Sequence, residues 1–165
     1  LSVPGRLPEH QDSALLRLQA AHGSLWVVHR LDMDTSGLIA FARTREAAAH
    51  VGRQFERRTV KKAYEALVWG HPPSKKGAIA QAPHTNQTPG PSVSRLKLTP
   101  ITGRSHQLRV HCSAIGLPIV GDRFYGRPPE AENPPATRLM LHARTLKFQH
   151  PGSGLPIQIE APPDF

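Results

Sequence analysis

Apolar residues occur along this chain in short bursts separated by polar, turn-rich stretches. Leu15, Leu16 and Leu18 follow Asp12 and Ser13, two residues able to cap a helix, and predict a short helix running to Ala20. Residues 25–28 form an apolar run of strand length. Residues 37–42 predict a second, buried strand, and the segment 29–37 between the two is polar and turn-forming. Thr44 predicts the cap of another helix, with Glu46 in its first turn and Arg57 and Arg58 at its end, as the helix dipole favours. Residues 62–69 read as a strand with apolar and aromatic residues on both faces, and 94–98 alternate as a strand. Residues 103–115 predict a third helix, stopped by Gly116 and Pro118, with Leu108, His111 and Ile115 on one side. Residues 139–148 and 155–160 are further strand candidates, and 71–92 and 127–137 read as loops. Strands outnumber helices and do not alternate regularly with them. The pattern predicts an α+β fold with a mixed, mostly antiparallel sheet and flanking helices and loops, rather than a doubly wound one.

Length and composition narrow the picture. The 165 residues fit one domain, 1–165, large enough to bury roughly two thirds of the surface its unfolded chain exposes. With 38% hydrophobic and 20% charged residues, the chain is a globular one and not a disordered one. Seventeen prolines and 13 glycines suit many loops and short elements. Charge adds more. Twenty-one Lys and Arg against 12 Asp and Glu give a net +9 and a pI near 10.6, a field that attracts nucleic acid first and an anionic membrane second. Cys112 is the one cysteine, which rules out an internal disulfide framework and a four-thiolate zinc site, and points to a reducing, cytoplasmic location. No apolar run approaches the roughly 20 residues of a membrane span. There is no basic-then-apolar leader, and the opening at Leu1 without Met reads as an N-terminally trimmed chain.

Two polar clusters hold the candidate chemistry. The first is His29-Arg30-Leu31-Asp32-Met33-Asp34-Thr35-Ser36-Gly37. Its bland reading is a tight turn built by side-chain to backbone hydrogen bonds. Its spacing also imitates an EF-hand loop, but the twelfth position is Arg43, a cation where calcium needs a bidentate carboxylate. Asp34-Thr35-Ser36-Gly37 resembles an aspartic-protease turn with Ser and Gly interchanged, yet that chemistry needs two such carboxylates and the chain has one copy, so a homodimer would have to supply the second. In the remaining reading one Asp is a nucleophile flanked by Arg30. The second cluster, Gly103-Arg104-Ser105-His106-Gln107-Leu108-Arg109-Val110-His111, reads either as a phosphate-binding helix start or as a basic surface face. The ten histidines show no ligand spacing such as HExxH, so no metal site is expected.

At these clusters the chain resembles the RluA family of pseudouridine synthases. His29-Arg30-Leu31-Asp32 followed by Thr35-Ser36-Gly37 resembles one signature of the family, and 103–111 a second. Lys61-Lys62-Ala63-Tyr64 resembles its middle motif, while 121–126 and 139–143 look like its C-terminal segments. Residues 1–6 are similar to the N-terminal stretch of its dual-specificity branch. The segment 64–109 is shorter than the family's pattern by roughly two dozen residues, which reads as a loop missing near 84–92, since deleting a strand would expose a sheet edge. The family's usual strand before Leu1 is missing as well.

The resemblance implies an enzyme that isomerises uridine to pseudouridine in structured RNA, in large-subunit rRNA, a tRNA anticodon stem-loop, or both. It implies a mostly antiparallel sheet flanking a basic RNA-binding cleft. Asp32 would be the catalytic aspartate, Tyr64 would sit against the base, and Arg109 would be the basic partner of Asp32. Arg30 would fill the space left by the flipped uridine, and His29, Arg104, His106, Gln107 and His111 would contact RNA. The chemistry fits these residue types. Extruding a stacked base costs a few kcal/mol, part of which an inserted Arg can offset. Breaking the glycosidic bond develops oxocarbenium character that a carboxylate can meet, provided it is ionised. No redox cofactor or metal is expected, because isomerisation moves no electrons between molecules. RNA is the expected partner, with no membrane, no protein partner and a monomeric state. Two other readings stay open here: a catalytically silent RNA-binding or chaperone relative, and a DNA-binding or membrane-surface protein resting on charge alone.

Overall fold

The computed structural model describes residues 1–5, 7–78, 92–126 and 136–165. The expected missing loop at 84–92 falls outside these residues except for Ser92, and so does most of the 127–137 loop. A 3-10 turn (Pro8–His10) precedes α1 (Ala14–His22), β1 (Trp26–Val27), β2 (Ser36–Gly37) and β3 (Phe41–Ala42). Next come α2 (Arg45–Glu56), β4 (Lys61–Trp69), β5 (Val93–Leu98), α3 (Gln107–Ala114), β6 (Leu141–Gln149) and β7 (Pro156–Glu160). Among the described residues β1 and β3 form a small antiparallel pair. A larger sheet has the order β2-β6-β4-β5, with β7 also pairing with β6. The β4–β5 and β6–β7 ladders are antiparallel, so the α+β fold with a mostly antiparallel sheet is the one observed.

Both predicted caps form. Ser13 Oγ accepts the Leu16 N–H at 3.4 Å and Thr44 Oγ1 accepts the Ala47 N–H at 3.1 Å, each satisfying a donor that the first helical turn leaves without a partner. Two expectations need correction. The 37–42 strand is split: Gly37 has φ 103° and belongs to β2, and only Phe41 and Ala42 pair in β3. The third helix begins at Gln107 and not at 103, because His106 takes a left-handed conformation (φ 53°) and makes no side-chain cap.

Contacts divide the chain into two compact units, 1–63 with 143–162, and 64–142 with 163–165. In the first unit Leu31, Ala42, Val51, Val60 and Leu146 are buried, and the Gln54 amide exchanges two hydrogen bonds with the Gln149 backbone (2.8 and 2.9 Å), joining α2 to β6. In the second unit Ala66, Val68, Cys112, Leu117, Ile119, Leu139 and Leu141 form the core. The extended segment 117–120 hydrogen-bonds along β4, through Trp69 N–H to Pro118 O and Val120 N–H to Leu67 O (both 2.9 Å). Burial among these apolar neighbours pushes the Cys112 thiol up to about 12, which makes it an inert packing residue.

Candidate active site

In the first unit, the segment leading to Asp32 is tied to the beginning of the chain. Leu31 is buried, its N–H donates to Ser2 Oγ (3.3 Å), and the Ser2 hydroxyl donates to Leu31 O (3.2 Å). The Thr35 N–H donates to Asp32 O at 3.1 Å and closes a tight turn. Asp34 sits in that turn at φ 68°, a left-handed conformation that Asp tolerates better than most residues. The turn therefore separates the two carboxylates. Asp32 is half-buried beside the anchored Leu31, and Asp34 is exposed at the tip with Met33.

His29 and Arg30 face different surroundings. The His29 ring stacks on Phe55 with centroids 4.7 Å apart, and its Nε2 accepts the Ala40 N–H at 3.0 Å. Burial, and then the nearby Lys62 charge, lowers its pKa to about 4, so the ring is neutral at pH 7, as an acceptor nitrogen must be. The Lys62 ammonium lies 5.9 Å from the same Phe55 ring, and burial lowers its pKa too. Arg30, in contrast, is exposed.

The second unit holds Tyr64 and the charged group on α3. Tyr64 opposes Leu98 in the β4–β5 ladder and is half-buried against the hydrophobic core. Arg109 is only 3% exposed. Its Nε and Nη2 donate to the two carboxylate oxygens of Asp122 at 2.8 and 2.7 Å. Asp122 Oδ1 also accepts the N–H groups of Phe124 and Tyr125, both at 3.0 Å. Burial pushes the Asp122 pKa up, but Arg109 and these two N–H groups outweigh it, so the carboxyl lies below its ordinary range and stays ionised. The guanidinium carbon is 5.3 Å from the centroids of both Phe124 and Tyr125. Two of the five guanidinium N–H donors thus go to Asp122, which sets the plane of the group.

The remaining expected residues surround α3. The His106 Nδ1 is 3.1 Å from the Tyr125 hydroxyl. Gln107 Oε1 accepts the Thr102 hydroxyl (2.5 Å) and the Arg104 N–H (3.1 Å), holding the loop that enters the helix. Arg104 is exposed and His111 half-buried. Asp122 lies in the 121–126 segment that the resemblance marks, but it is given no role there, although its signal is present. An Asp followed two and three residues later by turn N–H groups makes a local side-chain to backbone turn, and Gly121 and Gly126 frame it. A Cβ on Gly121 would lie 2.0 Å from Arg138 O, and one on Gly126 2.2 Å from Asp122 O.

Among the described residues no three His, Cys, Asp or Glu side chains converge to hold a metal ion, and no helix is long and apolar enough to cross a membrane. Residues 2–114 match the family model described as RNA pseudouridylate synthase. The chain is 42% identical to the dual-specificity RNA pseudouridine synthase RluA of Escherichia coli strain K12, over 100% of this chain and 85% of that protein. It is 41% identical to the RluA of Pasteurella multocida with the same coverage. The alignment with the Escherichia coli protein runs over 189 residues, so that relative carries additional residues within the matched region. The structure superimposes on human RNA pseudouridylate synthase domain containing 1 with a TM-score of 0.73 and 32% identity, covering 93% of this chain and 75% of that one. Human RNA pseudouridylate synthase domain containing 4 shares the fold, with a TM-score of 0.67. A half-buried aspartate on a pinned turn, a buried arginine fixed by a second aspartate, and likeness over the whole chain lead to one assignment: this chain belongs to the RluA family of RNA pseudouridine synthases, isomerases that act on RNA.

Proposed function

We propose that Asp32 is the nucleophile with which this chain converts uridine to pseudouridine in a folded RNA, either large-subunit rRNA, a tRNA anticodon stem-loop, or both. The reaction breaks the bond from uracil N1 to ribose C1′ and forms one from uracil C5 to C1′. The C5 hydrogen leaves as a proton, and N1 gains one. The observation that carries this reading is the placing of Asp32, half-buried on a turn whose preceding residue is pinned by Ser2, while Asp34 is exposed. A rigid support of this kind holds a carboxylate where charge develops at the sugar. Tyr64 supplies an aromatic face for the base. Arg109 supplies the cation that favours an ionised carboxylate and an anionic substrate. Arg30, exposed two residues before the nucleophile, enters the space vacated by the flipped uridine. Arg104 and His111 contact RNA, while His29, His106 and Gln107 act through the loops they hold. Residues 1–165 belong to one catalytic domain, which works as a monomer in the cytoplasm with no further protein partner.

The test is tritium release from RNA carrying 5-tritiated uridine, comparing the protein with its Asp32→Asn form. Isomerisation must release the C5 hydrogen, so release is expected from the former and not from the latter. Release that persists in Asp32→Asn points to Asp34 or to another mechanism. No release from ribosomal or transfer RNA, with RNA binding intact, makes the chain a silent binder.

A further inference from the structure

A furrow along α2 in the first unit has properties that the isomerisation does not use. Its basic end is a groove of about 480 Å³ between α2 and the strands β4 and β6, with Arg53, Arg57, Lys61 and Lys147 among its lining residues and no acidic one. Its other end is a recess of about 720 Å³ lined by apolar residues, among them Phe41, Val51 and Ile157, and by the charged Arg43 and Glu46. His50, Arg53 and Phe148 line both, so the two ends are continuous. No residue of the 29–37 turn contributes to either.

Three features make the groove a built one. Its floor is rigid, because Gln54 is buried and its amide exchanges two hydrogen bonds with Gln149. Arg53, in the last turn of α2, and Arg57, its C-cap, stand four residues apart and both line the groove. The four cations are exposed, and none has an ion-pair partner among the described residues. Like charges gathered at the basic end, where no carboxylate lines the groove, repel one another and favour a polyanion over a single small anion. An acidic peptide would satisfy charge alone. A basic track continuous with an apolar, phenylalanine-walled recess fits a nucleic acid strand, whose phosphates follow the track while an unpaired base lodges against the ring.

We propose that this furrow is a second RNA-binding site, taking the sugar–phosphate backbone of a strand that flanks the target loop. The proposal rests on the RNA substrate reading above. It makes the furrow a determinant of which RNA context is bound, separate from the chemistry at Asp32. A 12-residue helix is about 18 Å long, so a strand laid along α2 spans several nucleotides.

The test uses the full chain and a variant combining Arg53→Ala, Arg57→Ala and Lys147→Ala. Two RNA probes share one uridine-bearing stem-loop, and one of them carries a single-stranded flank of about ten nucleotides, within the usual size of such tracks. For the flanked probe, the slope of log affinity against log salt is expected to become shallower by about two to three in the variant, one for each phosphate that is no longer neutralised. KM should rise for that probe while kcat stays unchanged, and the short stem-loop should bind both proteins alike. An unchanged slope for the flanked probe in a variant with native Tm overturns the proposal. So does an equal loss on both probes, which marks a general charge effect. A Tm that falls sends the test to Arg57→Gln with Lys147→Gln, read in the same way. Failure of the isomerase reading shows separately, as absent tritium release from the unaltered protein.

Discussion

Asp122 has the most to do of any side chain to which the sequence assigned no role. It is 2% exposed, takes two N–H donors from Arg109, and accepts two more from its own turn. Removing one partner of a buried ion pair costs up to about 3–5 kcal/mol. Asp122→Asn should therefore lower stability by that order in urea denaturation at pH 7. The double variant Arg109→Met with Asp122→Leu should lose less than Asp122→Asn alone, since it removes both charges of the pair together. A double variant no more stable than the single one would mean the pair matters through shape. Arg109 stands out in the sequence because motif and charge coincide there. Its partner lies 13 positions away, and no periodicity connects α3 to the turn at 121–126. That Asp122 takes two of the Arg109 N–H groups is decided by chain path.

At the scale of elements, local chemistry is legible and pairing is not. Ser13 and Thr44 cap the helices expected of them, because a cap bond involves residues two or three apart. The 37–42 run is not the single strand its pattern predicts, since an apolar run signals burial but not the partner strand. Leu38 N–H donates to Ala143 O (2.9 Å), and that pairing draws the chain away from β3. Gly37 makes the approach possible. At φ 103°, a Cβ there would lie 2.4 Å from Ala143 O and 2.7 Å from Ala143 N. Gly37→Ala should cost at least about 2 kcal/mol, from the left-handed penalty and the clash together. Gly154→Ala, at φ 70° with open space around it, should cost about 1 kcal/mol from the penalty alone. Thermal unfolding of both proteins checks the difference, and equal losses would mean the backbone at Gly37 can shift.

For the whole molecule, two depressed groups shape stability against pH. Folded His29 titrates at about 4, while an unfolded histidine titrates near 6.5. Below about pH 6.5 the unfolded chain binds a proton that the folded chain refuses, so stability falls, by up to about 3 kcal/mol once pH 4 is reached. Asp122, held below the usual carboxylate range, contributes above about pH 4 and loses that contribution as pH falls further. Thermal melts should show a two-stage decline from pH 7 to pH 3. His29→Gln, which cannot charge, should remove the upper stage and keep the lower. An upper stage that survives in His29→Gln would assign it to another histidine. The net charge of +9 works at the same scale. It draws RNA to the molecule from any direction, whereas the arrangement of Arg53, Arg57, Lys61 and Lys147 around one groove gives that attraction an address.

The family, the fold class and the helix caps were legible in the linear sequence, and Asp32 was expected there as the nucleophile, because each is written in residues close together along the chain. Tertiary structure alone decided that Asp32 is half-buried and Asp34 exposed, that His29 turns inward onto Phe55, that Asp122 holds Arg109, and that cations from α2, β4 and β6 line one groove. These depend on contacts between residues far apart in sequence, and on which groups lose water when those contacts form. Local pattern carries no record of either.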